Sequence, residues 1–387
     1  MVNVRRAILY ISASLGPMGG SAILSLVPTL RGEFGVSAGT VALSVTLFML
    51  PFAVLQLFSG PLSDLSDRRK VMIAGLLTYA AGCVVSALSP NINVFLASRV
   101  VQGLGYAWIS PVTVALIGDI TSREDRGMAM GWMGTSVTAG IAAGPFFGGM
   151  LADSWRLVFV VFFILTLAFA GAFWVAFRDY HTEARGGKMT EIVPLLRQGV
   201  ADRNVLLLSF SGFLIFFAYM GSMAFISDSL SRPPLSLDES RIGIIIAISG
   251  ISGIVASPLA GTSVDRLGRK RTAIMGVMMI LLTFLLLRWA GTFWEFGAMF
   301  VLIGAGSAFS WAPLNTMSVE VIPAIRGTVV SIFSSIRFTG YALGPVVLAM
   351  VYDVKGIEWV YIAGMITMAL CIVTLAAIDR IDPAPDG

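Results

Sequence analysis

The chain of 387 residues is 57% apolar and 12% charged, and its formal net charge is +4. A soluble domain carries about twice this share of charged residues, so lipid must be the solvent for much of the chain. The basic residues fall in short loops, which is typical of membrane topology and does not indicate a nucleic-acid-binding surface.

Twelve apolar runs are long enough to cross a bilayer, which takes about 20 residues in a helix. They cover residues 7–30, 40–62, 71–90, 94–117, 128–152, 157–177, 205–228, 241–262, 272–290, 294–319, 328–351 and 358–378. Most links between them are short, so neighbouring helices are expected to run antiparallel. The sequence therefore predicts an all-α membrane protein with twelve transmembrane helices.

The positions of Lys and Arg predict the orientation in the membrane. With the N-terminus inside, most of them fall in inner segments. The basic residues of the outer loops are then Arg31, Arg156, Arg232, Arg241 and Lys355. By the positive-inside rule we predict a multi-pass protein of the cell (inner) membrane, with both termini in the cytoplasm.

A segment of the first half recurs in the second half, about 200 residues later. Residues 60–70 read GPLSDLSDRRK, and residues 261–271 read GTSVDRLGRKR. Later residues repeat at nearly the same offset, as in Gly144-Pro145 and Gly344-Pro345. We therefore predict two pseudo-symmetric six-helix bundles, residues 1–177 and 205–387, joined by a cytoplasmic linker over residues 178–204.

The repeated segment matches a loop motif, G-x-x-x-D-R-x-G-R-[KR]. The motif is complete in the second half, at Gly261, Asp265, Arg266, Gly268 and Arg269. In the first half it is fitted by Gly60, Asp64, Arg68 and Arg69. There, Leu65 and Asp67 replace the usual Arg and Gly.

Two further motifs lie in predicted helices 4 and 5. Helix 4 carries R-x-x-Q-G-x-G from Arg99 to Gly105. Helix 5 carries G-x-x-x-G-P-x-x-G-G at Gly140, Gly144, Pro145, Gly148 and Gly149. On these motifs the chain resembles the major facilitator superfamily, and within it the twelve-helix drug/proton antiporters that act in multidrug efflux.

This resemblance implies a latch on the inner side. Asp64 would accept hydrogen bonds from the N–H groups that open helix 11, near residues 326–328, where the helix dipole is positive. Arg68 would pair with Asp119 at the inner end of helix 4. Asp67, in place of glycine, is expected to weaken the latch. The alternative for the basic cluster, Arg69 included, is that it simply follows the positive-inside rule.

The glycines of helix 5 predict close packing. Small residues at four-residue spacing let two helices approach, and Gly144-Pro145 can kink the helix. The resemblance implies that helix 5 packs against a helix of the other bundle and forms a dry seal that suppresses proton leak.

Three charged residues in or near the spans are candidates for proton coupling or a central charge: Arg99, Asp228 and Arg337. An intramembrane Arg is costly unless it faces a partner or water, which favours a functional role for Arg99 and Arg337. The alternative for Arg99 is an outer-end side chain that snorkels to the interface. Asp228, at the outer end of helix 7, is the predicted proton-binding carboxylate. Coupling through Asp64 and Asp119, or no coupling, are the alternatives.

The resemblance implies that helices 1, 4, 7 and 10 line the substrate cavity. Their candidate residues are Met18, Gln102, Tyr106, Trp108, Phe216, Tyr219, Phe309, Trp311 and Asn315. Aromatic and Met side chains with few charges suit a hydrophobic, adaptable ligand. For any one of them the alternative is core packing or contact with lipid.

The predicted function is export of hydrophobic or amphipathic, drug-like small molecules in exchange for protons, by a monomer working through alternating access. The alternative within transport is a carrier for a defined solute such as a sugar, an organic anion or a lipid. A membrane enzyme or receptor would need a catalytic constellation or a sizeable soluble domain, and the sequence shows neither. It also lacks a G-x-x-x-x-G-K-[ST] segment and metal-ligand spacing, so we expect no ATP, cofactor or metal.

Overall fold

The computed structural model describes residues 2–58, 67–122, 125–180 and 192–379 of the chain. The long helices of these residues are α1 (Val2–Ser21 continued by Ile23–Phe34), α2 (Ala38–Gln56), α3 (Arg68–Ala87), α4 (Ile92–Asp119), α5 (Arg126–Met150), α6 (Trp155–Ala176), α7 (Arg203–Leu230), α8 (Glu239–Leu267), α9 (Arg269–Leu286), α10 (Phe293–Glu320), α11 (Arg326–Lys355) and α12 (Ile357–Ala376). Each coincides with one predicted span, and the predicted all-α fold is confirmed.

Ten spans of the described residues are long and apolar enough to cross a membrane. The other two long helices, α5 and α9, coincide with predicted spans 5 and 9. In α9, 18 residues long, the first turn consists of Arg269, Lys270 and Arg271, which shortens its apolar length. In α5 many positions are glycine, which adds length but little hydrophobicity.

Polar residues in the connecting turns begin several of these helices. The side-chain oxygens of Ser37, Asn91, Asp202 and Asp238 each accept a hydrogen bond from the backbone N–H three residues later, at 2.8–3.1 Å. Such caps satisfy N–H groups that the first turn of a helix leaves without a partner. The caps therefore fix where α2, α4, α7 and α8 start.

The predicted linker, residues 178–204, contains a short helix, Ile192–Ala201, instead of only a polar loop. Its Leu196 packs against a small apolar cluster formed by Val205 of α7 and by Val329 and Ile332 of α11. The sequence IVPLLRQGVA places apolar residues on one side of a short helix, which explains the difference. The predicted bundle limits at residues 177 and 205 stay a prediction.

The two halves of the chain pack their helices in the same pattern. In the first half α1 packs on α5 and α3 on α4, and in the second half α7 packs on α11 and α9 on α10. Glycines at equivalent positions bring equivalent pairs of helices into close backbone contact. A Cβ at Gly140 would lie 2.5 Å from the carbonyl oxygen of Ser14, and one at Gly340 would collide with that of Phe213. The sequence repeat is therefore also a structural repeat.

Both described ends of the chain lie at one face of the bundle. Arg5 Nε donates to the carbonyl oxygen of Ala176 at 2.8 Å, and the Asp379 N–H donates to Asn204 Oδ1 at 3.1 Å. Lys270 Nζ donates to the carbonyl oxygen of Ile378 at 2.8 Å. We call this face the basic face and the other end of the bundle the opposite face. The topology prediction assigns the basic face to the cytoplasm.

Candidate substrate pathway and gates

The carboxylate of Asp228 lies at the opposite face, near the end of α7, and is fully buried. Its Oδ2 accepts a hydrogen bond from the Tyr352 hydroxyl of α11 at 2.7 Å and lies 2.5 Å from Arg232 Nη2. Arg31 Nε, from α1, lies 3.2 Å from Oδ1, an ion pair without hydrogen-bond alignment. Because Arg31 belongs to the first half of the chain, this carboxylate joins the two halves. We call these four residues the Asp228 cluster.

Arg31 and Tyr352 were not among the predicted site residues. The sequence held one signal for Arg31, because it is among the few basic residues of the outer loops, where the positive-inside rule disfavours them. Tyr352 carried no signal beyond its place at the end of a span. The structure places Asp228 near the end of α7 at the opposite face. That this face is the outer one stays a prediction.

Further contacts close the opposite face. Thr29 Oγ1 of α1 donates to Glu239 Oε1 of α8 at 2.9 Å, and Ser240 Oγ donates to the carbonyl oxygen of Gly149 at 3.2 Å. Deeper in the bundle, Thr46 Oγ1 of α2 donates to the carbonyl oxygen of Ala342 in α11 at 2.6 Å. Each of these bonds crosses between the halves.

The glycines of the helix 5 motif pack against two helices, one on each of two sides of α5. Gly140, Gly144 and Gly148 lie against the backbone of α1, where a Cβ at Gly148 would be 2.5 Å from the carbonyl oxygen of Ala22. On another side of α5, the backbone of Pro145 and Gly149 touches α8, at Gly243 and Glu239. The motif thus sits against a helix of each half, so α5 and α8 form the predicted close contact between them.

The basic face holds the predicted pair of Arg68 and Asp119, which is present as an ion pair between α3 and α4. The Tyr180 hydroxyl donates to the same carboxylate at 2.6 Å. Arg69 donates to the carbonyl oxygen of Arg178 at 3.0 Å, and its guanidinium lies 4.4 Å from the ring centroid of Trp174 in α6. These contacts hold the first half together and do not cross to the second half.

Two other residues of the first loop motif, Gly60 and Asp64, lie outside the described residues, so the contact predicted for Asp64 with helix 11 stays a prediction. Asp67, which replaces the usual glycine, begins α3. Its Oδ1 accepts a hydrogen bond from the Arg69 N–H at 3.0 Å, as an N-cap does. Asp67 thus has a capping role that the sequence analysis did not predict, and its expected weakening of the latch stays a prediction.

The second loop motif repeats this ion pair. Arg269, the counterpart of Arg68, pairs with Glu320, the counterpart of Asp119. Gly268 joins α8 to α9 at φ +85°, a conformation that favours glycine. Asp265 and Arg266 are exposed and form no ion pair within the part of the chain that the structure describes, and a Cβ at Gly261 would meet nothing within 4 Å.

Arg99 lies inside the first half with no exposed surface. Its Nη2 donates to the carbonyl oxygen of Gly19 at 3.0 Å, its Nε donates to that of Ser44 at 3.4 Å, and its Nη1 donates to Gln102 Oε1. Gln102 in turn donates to Ser86 Oγ at 2.7 Å. The snorkelling alternative for Arg99 is therefore wrong. Both side chains join α1, α2, α3 and α4, and Gln102 is fully buried among these contacts.

A group of aromatic rings connects the two halves at mid-length. Phe52 of α2 lies 4.9 Å from Tyr106 of α4 and 4.6 Å from Phe338 of α11, measured between ring centroids. Phe216 of α7 lies 5.9 Å from Phe338 and 5.6 Å from Trp311 of α10. We call these five rings the central aromatic cluster. Tyr106, Phe216 and Trp311 were predicted site residues, whereas Phe52 and Phe338 were not.

Arg337 lies beside this cluster with 5% of its surface exposed. Its guanidinium carbon is 3.7 Å from the ring centroid of Trp311 and 4.3 Å from that of Phe338. The residue is about 16 Å along α11 from its start, at 1.5 Å per residue in a helix of 30 residues. The structure thus places the predicted central cation inside the span, about a third of the way along α11 from the basic face.

The remaining cavity candidates lie in different places. The Tyr219 hydroxyl donates to Ser249 Oγ of α8 at 3.1 Å, and Met18 lies beside Gly144. Phe309 packs on alanines of α8 and α10, and Asn315 is partly exposed.

Trp108 lines a shallow groove with Asp67, Lys70, Val71 and Ala74, on the side of α4 that faces α3. The structure therefore separates Trp108 from the central aromatic cluster.

Comparison with known proteins decides the family. The sequence model of the Major Facilitator Superfamily matches residues 9–231 and again residues 205–387. The chain belongs to this superfamily. The resemblance stated from the motifs is confirmed, and the superfamily's members are transporters, which excludes the enzyme reading.

Curated members of the superfamily are similar over most of the chain. The class G tetracycline resistance protein of Vibrio anguillarum is 27% identical over 387 residues, covering 94% of this chain and 95% of the relative. The bacillibactin exporter of Bacillus subtilis is 25% identical over 345 residues, covering 86% of each. An uncharacterized MFS-type transporter of Mycobacterium tuberculosis, Rv1250, is 26% identical over 381 residues, and the match spans 83% of this chain and 65% of that relative.

Proposed function

We propose that the chain exports hydrophobic or amphipathic small molecules across the membrane in exchange for protons, by alternating access. Two relatives, named for tetracycline resistance and for bacillibactin export, support export as the direction. The observation that carries the proposal is the central aromatic cluster, because its rings come from α2 and α4 of the first half and from α7, α10 and α11 of the second. Aromatic side chains bind varied apolar ligands.

Alternating access needs a gate at each end of the pathway. The Asp228 cluster and the contact of α5 with α8 form the gate at the opposite face, and it is closed in this structure. Near the basic face the halves also touch, because Leu57 at the end of α2 packs in one apolar cluster with Val329 and Ile332 of α11. Opening of this second contact would admit substrate from the basic face.

Asp228 is our candidate for the proton-coupled group. It is the buried carboxylate among the residues that the structure describes. The charge of Asp228 affects closure of the gate because Arg31 belongs to the first half of the chain, whereas Asp228 and Arg232 belong to the second. An ionised Asp228 attracts Arg31 and favours closure of the opposite face, whereas a neutral one loses that attraction. A proton taken up from the opposite side therefore favours the open gate.

The available driving force is adequate for an exporter. One charge moving through about 150 mV releases about 3.5 kcal/mol. At 1.4 kcal/mol per tenfold change, this supports a concentration ratio of roughly 300. The proposal includes a monomer in the cell membrane with the basic face in the cytoplasm.

Transport by inverted membrane vesicles tests this function. Vesicles with an acidified lumen and this protein should concentrate aromatic amphipathic dyes, and an uncoupler should abolish the accumulation. Vesicles carrying the Asp228→Asn variant should lose most of the proton dependence. Accumulation that persists undiminished after the proton gradient is collapsed would show that protons are not the coupled ion.

A further inference from the structure

Arg337 is a buried cation that the protein does not neutralise. It forms no ion pair within the described residues, and its Nε and Nη1 atoms are buried without a hydrogen-bond partner there. A charged side chain in the membrane interior is costly unless it is paired or faces water. Among the described residues, the groups placed to stabilise its charge are aromatic rings, those of Phe216, Trp311, Phe333 and Phe338, at 3.7–5.3 Å.

Arg99 shows that this is not the general condition of buried arginines in the chain. Arg99 is buried as well, but its Nε and both terminal nitrogens donate hydrogen bonds to Ser44, Gly19 and Gln102. The N–H groups of Arg99 donate to acceptors in α1, α2 and α4, so its side chain links these helices. Arg337 is buried to a similar extent, but its Nε and Nη1 have no such acceptors among the described residues.

The position of Arg337 also differs from a core position. Trp311, Phe216 and Phe338 are only partly buried, whereas Phe333, which also lies near the guanidinium, is fully buried. Phe338 also contacts Phe52 of the first half, so these rings border the space where the halves meet. A ligand that parts the half-buried rings would reach the guanidinium from that space.

We propose that the substrate is an aromatic or otherwise apolar compound that carries an anionic group, a carboxylate or a sulfonate, and that Arg337 binds this group. A guanidinium binds such anions through charge-assisted hydrogen bonds, which are about twice as strong as neutral ones. The rings hold the apolar body of the substrate. This inference rests on the proposed export function and names the substrate class for the same site.

Binding to the purified full-length protein, without a proton gradient, tests the inference. The probes are 1-naphthylacetate, its neutral amide 1-naphthylacetamide and the cation 1-naphthylmethylammonium, which share one aromatic body. Isothermal titration should give the anion a dissociation constant at least about tenfold below those of the other two. In Arg337→Gln the preference should disappear, and in Arg337→Lys part of it should remain.

Arg288→Gln is the matched control, because Arg288 is a partly exposed arginine near the end of α9 that pairs with Glu358 at 3.7 Å. It should leave the preference unchanged. A wild-type protein that binds the amide or the ammonium as tightly as the carboxylate, or that binds no anion at millimolar concentration, overturns the inference. So does an anion preference that survives Arg337→Gln.

The outcomes separate this inference from the proposed function. Proton-driven transport of neutral or cationic dyes without any anion preference would overturn the inference alone. Anion-selective binding without proton-driven transport would overturn the proposed coupling alone. If Arg337→Gln does not fold, the wild-type order of the three probes and the Arg337→Lys variant still decide.

Discussion

The guanidinium of Arg31 lies 3.2 Å from the carboxylate of Asp228, and this pair joins α1 to α7 across the two halves of the chain. The aspartate is fully buried, whereas the side chain of Arg31 is 35% exposed. A bond that crosses the halves at one face must break when that face opens. The pair therefore offers a direct way to change the balance between the two gate states.

Asp228→Asn should weaken closure of the opposite face, because the neutral amide keeps the volume but loses the attraction to Arg31 and Arg232. The readout is maleimide labelling of Ser240→Cys, whose wild-type hydroxyl contacts Gly149 of the other half. Both native cysteines are buried, so they add little background. Labelling should accelerate roughly tenfold for about 1.4 kcal/mol of lost closure.

The control for this variant is Glu358→Gln, which also removes an acid, but one that is 66% exposed and pairs within the second half. Labelling should stay at the wild-type rate. Equal labelling of Asp228→Asn and the parent protein would mean that the Asp228 cluster does not hold the gate.

Tyr352→Phe should change the gate far less than Asp228→Asn. It removes one hydroxyl that donates to Asp228 at 2.7 Å within the second half, and it leaves both arginines in place. Because this bond does not cross between the halves, it need not break when the opposite face opens. Labelling of Ser240→Cys should therefore stay near the parent rate. A rise as large as that of Asp228→Asn would mean that the Tyr352 hydroxyl, and not only the attraction of Asp228 to Arg31, holds the gate closed.

The pairs of Arg68 with Asp119 and of Arg269 with Glu320 should have similar energies, since they are equivalent in the repeat. Both are partly exposed, so each is expected to contribute up to about 1 kcal/mol. Double-mutant cycles on thermal unfolding, with Asn for Asp119 and Gln for the other three residues, measure the two coupling energies. A coupling at one pair and none at the other would contradict structural equivalence of the two basic loops.

Much of the fold could be predicted because hydrophobic length and charge act locally along the chain. Twelve apolar runs gave the helices, and the offset between residues 60–70 and 261–271 gave the repeat. The same offset makes Glu320 the counterpart of Asp119, and it is therefore sufficient to indicate Glu320 as the partner of Arg269.

The site was less accessible to sequence reasoning, because it depends on which side of each helix faces the other half. Trp108 and Tyr106 are two residues apart on α4, yet only Tyr106 belongs to the central aromatic cluster. Phe52 and Phe338 lie on helices that the family resemblance did not single out as lining the cavity. Arg31 needed the packing of α1 against α7 before its partner could be known.

Gly149→Ala should open a leak between the halves. A Cβ at Gly149 would collide with the carbonyl oxygen of Glu239 in α8, and backbone cannot move aside as a flexible side chain can. The two helices must then separate at the opposite face. In vesicles with an imposed pH gradient, the variant should dissipate the gradient several times faster than the wild type.

Gly134→Ala is the matched control on the same helix, because a Cβ there would meet nothing within 4 Å. Alanine in place of a helical glycine stabilises by up to about 1 kcal/mol where space allows, so this variant should keep both its fold and its proton tightness. If both substitutions leave the gradient intact, the contact of α5 with α8 is not the seal. If both raise the leak, the cause is α5 itself rather than its approach to α8, because of these two glycines only Gly149 touches that helix.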